Sequence, residues 1–247
     1  MSFDTISLTL VGLIFLWTGF VRTGLGFGGA ALGLPLMLLV GGSPVYWLPV
    51  IGIHLLFFSS LTLFKSIKKV DWQYLKHSLL WIIPPTLVGV GGLLSLPDTV
   101  VIVFIYSITI FYAITWVFDQ KITSHKPWVD KLLLIFGGYV AGTSLTGAPL
   151  IVAVYMRHIA KEYLRNTLFV LWFILVSIKM ITFVIMNVEI DWEFSLALVP
   201  IAAIGHVIGL KAHQRIIDND QLFKKWVGSA LLLISSFGLL KLFWIDI

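Results

Sequence analysis

Long apolar stretches separated by short polar loops dominate the chain. Runs at 45–64, 77–95, 99–118, 166–186, 194–210 and 226–245 each hold close to the ~20 residues that carry a helix across about 30 Å of hydrocarbon. Strict alternation is absent and proline is spread through the runs, so the pattern predicts helices rather than barrel strands. Two further apolar regions are interrupted. Residues 5–41 are broken by Arg22-Thr23-Gly24-Leu25-Gly26-Phe27-Gly28-Gly29. Residues 132–156 are broken by Gly137-Gly138 and by Gly142-Thr143-Ser144-Leu145-Thr146-Gly147-Ala148-Pro149. Glycine, threonine, serine and proline at that density break helices.

The loops set the topology. Every Lys and Arg except Arg22, Lys179 and Lys241 falls into one of four loops. Lys65, Lys68, Lys69 and Lys76 share the first, and Lys121, Lys126 and Lys131 the second. Arg157, Lys161 and Arg165 form the third, and Lys211, Arg215, Lys224 and Lys225 the fourth. The loop at 187–193 carries Glu189, Asp191 and Glu193 and no base, and the loop at 95–98 carries Asp98 alone. Basic loops stay on the cytoplasmic side. Residues 132–156 then enter and leave on one side, as a re-entrant hairpin. Arms of about 11 residues span roughly 16 Å, which puts the tip near the bilayer midplane.

The two halves repeat. Gly19-Phe20-Val21 matches Gly138-Tyr139-Val140, and Gly28 matches Gly147 at the same offset. Val70-Asp71-Trp72 matches Ile190-Asp191-Trp192, and Pro84 and Gly89 match Pro200 and Gly205. The sequence predicts a first repeat at 1–118, a cytoplasmic linker at 119–131 and a second repeat at 132–247. Three crossings per half is odd, so the second repeat is inverted. The fold class is an all-α polytopic membrane protein with an inverted repeat, each half a broken or re-entrant helical hairpin plus three transmembrane helices. Inverted repeats with matched discontinuous helices mark secondary transporters.

Composition agrees. Hydrophobic residues make up 59% and charged residues 12% of 247, against about a quarter charged in soluble domains. The net charge of +5 is that of topology-setting loops rather than of a nucleic-acid binder. The absence of cysteine excludes disulfides, thiolate chemistry and cysteine metal sites. No Lys or Arg precedes Arg22, so the first apolar run lacks the basic start of a cleaved signal peptide and is expected to remain. The expected location is the inner membrane, as a multi-pass protein.

The breaks are where chemistry is expected. Unpaired backbone groups inside a bilayer are tolerated only where protein or a watery cavity satisfies them. Helix N-termini there carry partial positive charge and free N–H groups that suit anions. Such starts fall near Gly28-Gly29-Ala30 and Gly147-Ala148-Pro149. Ionisable residues at depth are usually functional. Arg22 adjoins the first break, Lys179 lies inside a span, and no Asp or Glu lies deep in any span. The expected substrate-binding set is Arg22, Thr23, Gly26, Gly28, Gly29, Thr143, Ser144, Thr146, Gly147 and Lys179, with His54 and His206 as a possible proton relay. Cations without carboxylates suit a small anion and argue against Na⁺ or a metal. No cofactor is expected. Ser144 with His206 is no nucleophile elbow, and no P-loop or dinucleotide fingerprint occurs, so neither an enzyme nor an ATP-driven pump is indicated.

At these residues the chain resembles the sulfite exporter TauE/SafE family. The resemblance rests on Gly24-Leu25-Gly26-Phe27-Gly28-Gly29 with Pro35, and on Gly142-Thr143-Ser144-Leu145-Thr146-Gly147-Ala148-Pro149. It extends to Arg165-Asn166-Thr167 and the two Asp-Trp loops, so it covers nearly the whole chain. It implies ATP-independent movement of small sulfur-containing anions such as sulfite or sulfonates. The expected mechanism is alternating access, with the site at the repeat interface near the midplane. The alternatives are a non-transporting membrane assembly subunit and an anion channel. The sequence sets neither the direction of transport nor the oligomeric state.

Overall fold

A computed structural model describes residues 4–25, 29–120, 122, 123, 125–218 and 220–244. Among them are eleven α-helices, one 3-10 turn and no strand. In chain order the helices are α1 (Thr5–Leu25), α2 (Gly29–Val40), α3 (Pro44–Ser66), α4 (Trp72–Ser95), α5 (Asp98–Val117) and α6 (Pro127–Ser144). Then come α7 (Ala148–His158), α8 (Lys161–Ile185), α9 (Trp192–Ala197), α10 (Val199–Asp218) and α11 (Asp220–Trp244).

Local chemistry explains the starts. The Asp4 carboxylate accepts the Ser7 amide at 3.0 Å ahead of α1, and this bonding holds the carboxyl below its ordinary pKa. Both Asp-Trp motifs are N-caps. Asp71 Oδ1 accepts the Tyr74 amide at 2.9 Å and Asp191 Oδ1 accepts the Phe194 amide at 3.0 Å, each reaching the third helical residue. Proline opens α3 and α6 and sits in the first turn of α7, where its missing N–H costs nothing.

Among the described residues, seven helical segments are long and apolar enough to cross a bilayer. The sequence predicted six. The seventh is α1, the first arm of the first broken region. Its 21 residues reach about 31 Å, because the break comes only after Arg22. Nor are the arms of the second region equal. α6 has 18 residues and α7 has 11, because Pro127 starts the helix five residues before the apolar run does. Large apolar side chains such as Leu80, at 71% exposure, and Leu233, at 72%, point outward along these helices, as a hydrocarbon solvent requires.

The helices gather into two compact units, each drawn from both halves of the chain. One holds residues 1–47, 96–121 and 196–247, and the other residues 48–95 and 122–195. In the first unit α1 lies against α10 through small residues. A Cβ on Gly19 would overlap the Ala202 carbonyl, and one on Gly205 the Leu16 carbonyl. In the second unit α4 lies against α6 in the same way. A Cβ on Gly138 would overlap the Ile82 carbonyl, and one on Gly89 the Tyr139 carbonyl. The glycines that match in sequence thus serve the same close backbone approach within each unit.

Candidate functional site

The first break follows α1. Arg22 and Thr23 are buried there. Thr23 Oγ1 donates to the Gly19 carbonyl at 3.0 Å and lies 2.6 Å from Nδ1 of His206 on α10. A hydroxyl has one proton. Either the hydroxyl donates to a bare ring nitrogen or a protonated ring nitrogen donates to the hydroxyl. Gly29 opens α2 tight against α1. A Cβ there would sit 3.0 Å from Arg22 Cβ and 3.2 Å from the Thr18 carbonyl, so the short arm turns back only on glycine. Gly26 and Gly28 lie outside the described residues.

The second break is visible throughout. α6 ends where Leu145 takes φ 59°, a left-handed conformation rare for a branched side chain. Its amide donates to the Ala141 carbonyl at 3.0 Å. Thr143 donates to the Tyr139 carbonyl at 2.9 Å and Ser144 to the Val140 carbonyl at 3.0 Å. Ser144 and Thr146 oxygens are 2.6 Å apart, and since the Ser144 proton is used, Thr146 is the donor. All three residues are buried. Their hydroxyl protons thus satisfy the break from within. Gly147 packs against the other arm, where a Cβ would overlap the Gly137 carbonyl. It makes no side-chain cap for α7, whose first-turn N–H groups have no acceptor within the helix.

The feet of this hairpin are joined. Arg157 Nη1, near the end of α7, lies 2.9 Å from Oδ2 of Asp130, near the start of α6, and His158 Nε2 lies 2.8 Å from the same oxygen. Above Asp130, α6 runs 14 further residues to Ser144, about 21 Å. Sequence reasoning assigned Asp130 no role. It sits at the edge of an apolar run, and its partners lie 27 and 28 positions away. The usable signal was the one acid within an otherwise acid-free hairpin.

Lys179 lies in α8 of the same unit and is 1% exposed. Its Nζ is 5.9 Å from the Phe183 ring centroid. Among the described residues it has no hydrogen-bond partner. His54 is buried in α3, and its Nε2 donates to the Ser195 carbonyl at 2.8 Å. That bond ties α3 to α9 and fixes the hydrogen on Nε2, since a carbonyl only accepts. The predicted residues thus fall into separate groups. Arg22, Thr23, Gly29 and His206 belong to the first unit. Thr143, Ser144, Thr146, Gly147, Lys179 and His54 belong to the second. Thr86 on α4 was missed. It is buried, and its hydroxyl bridges the Ile82 carbonyl at 2.7 Å and the Gly138 carbonyl at 3.0 Å.

A family model described as sulfite exporter TauE/SafE matches residues 11–237. The matched span includes both breaks, Lys179, His54 and His206. No curated protein and no solved structure matches the chain.

Proposed function

Because the chain belongs to the sulfite exporter TauE/SafE family, we propose that it is a secondary transporter of small sulfur-containing oxyanions, sulfite or sulfonates, in the cell membrane. The observation that carries this reading is Lys179. Charge on a buried amine without a hydrogen-bond partner carries a desolvation cost, and a small anion beside it offsets that cost. Its own unit contains the second break, whose α7 N-terminus offers backbone N–H groups to an oxyanion. Arg22 is a buried cation beside the first break, in the other unit. The hydroxyls of Thr143, Ser144 and Thr146 hold the break in shape rather than lead the recognition.

The joined feet of the second hairpin support the re-entrant topology, since the segment returns to the level at which it entered. The parallel glycine packing of the two units supports a repeated architecture. The charge pattern supports the inversion of one repeat relative to the other, and alternating access is the mechanism such an architecture serves. Purified protein in liposomes tests the transport reading. It should move sulfite without ATP, and the rate should saturate with substrate. A rate that rises without saturation would mean a channel. No flux together with no stabilisation by sulfite would mean a non-transporting subunit.

A further inference from the structure

The foot of the second hairpin lies outside the anion-binding groups. Asp130 and His158 belong to different arms, α6 and α7, and their contact closes the hairpin at its base. Asp130 is buried, whereas the His158 side chain is 34% exposed, so one member is held by protein and the other is open to the surroundings. The His158 ring also stacks on Tyr74 of α4, with centroids 4.9 Å apart and planes within 14°. Tyr74 meets the Tyr155 ring edge-on, and the Tyr155 hydroxyl is 2.6 Å from Ser78 Oγ. One imidazole thus contacts both arms of the hairpin and the helix against which α6 packs.

We propose that Asp130 and His158 form a proton-binding site that couples proton movement to anion transport. The coupling part rests on the transport reading above. With Asp130 ionised, His158 Nε2–H donates to Oδ2, and Nδ1 takes up a proton from hydronium, releasing water. The resulting imidazolium adds a second cation to the carboxylate that Arg157 already engages. Imidazole is the side chain whose charge changes between about pH 5 and 8. The groups around it are Asp130 from α6, Tyr74 from α4 with Asp71 capping that helix, and Arg157 and Tyr155 on α7. Lys161 and Glu162 follow in the first turn of α8. Gaining or losing that charge changes the tie between the two arms, and so the freedom of the hairpin tip.

Two variants bracket the states. His158→Gln keeps an N–H toward Asp130 but cannot take up a proton, and His158→Arg is permanently charged. Sulfite flux in liposomes is measured for both and for wild type at matched pH, so that the substrate's own protonation cancels. Wild-type flux relative to either variant should change by about an order of magnitude between pH 5 and 8. Both ratios staying constant across that range would overturn the coupling. Melting temperature in detergent, without substrate, is the second measurement. The difference between wild type and His158→Gln should change across the same range, and a constant difference would overturn the claim that the proton tightens the tie between the arms. If wild type moves no sulfite, the transport reading fails and the melting curves still decide whether protonation tightens the foot of the hairpin.

Discussion

Thr23 and His206, 183 positions apart in sequence, share a contact of 2.6 Å between Oγ1 and Nδ1. The bond joins the residue beside the first break to a helix from the other half of the chain. Replacing Thr23 by Val keeps the shape and removes the hydroxyl, and with it this contact to the ring. The expected loss is about 1–3 kcal/mol of stability, read as a lowered melting temperature in detergent. Thr23→Ser keeps the oxygen and should recover most of the loss.

The glycines separate into those that pack and those that do not. Gly205→Ala pushes a methyl into the Leu16 carbonyl and Gly142→Ala one into the Thr86 carbonyl. Each should cost about 1–3 kcal/mol or more, since the obstacle is backbone and cannot rotate away. At Gly91 a Cβ would meet nothing within 4 Å. Gly91→Ala should be neutral or stabilise by up to about 1 kcal/mol. Equal effects at all three positions would contradict the packing described for these helices.

The two aspartate caps should behave alike. Asp71→Ala and Asp191→Ala each remove one side-chain acceptor from a helix start. Each is expected to cost about 1 kcal/mol, measured by thermal unfolding. Asp→Asn at either position should cost less, because the amide oxygen still accepts.

Topology is testable in a chain without cysteine. His125→Cys and Ala160→Cys flank the α6–α7 hairpin. Both should react with an impermeant thiol reagent from the same side of the membrane. Labelling from opposite sides would mean that the segment crosses, despite the joined feet at Asp130 and Arg157.

The sequence located most of the helices but not their ends. The run at 77–95 lies within α4, which begins at Trp72. Gln73 and Lys76 interrupt the apolar pattern but remain helical, because Asp71 caps the helix and the backbone bonds continue past the lipid boundary. Both breaks were legible, because glycine and hydroxyl clusters punctuate apolar runs. The unequal arm lengths were not, since hydropathy locates the lipid-facing run and Pro127 locates the helix. Lys179 stood out as a lone base in an apolar span. Asp130 did not, because its meaning depends on a hairpin that brings α7 back beside it. Periodicity along one segment also carries no record of its partner, so the pairing of α1 with α10 and of α4 with α6 was not readable.

The most direct measurement concerns Lys179. Lys179→Met keeps the length and apolar stem of the side chain and removes the charge. Sulfite flux into liposomes is compared with wild type, with melting temperature as the check that the variant folds. A fall of about tenfold or more, equivalent to ~1.4 kcal/mol, is expected, with partial recovery in Lys179→Arg. A folded Lys179→Met protein that moves sulfite at the wild-type rate would contradict the assignment of Lys179 to the anion.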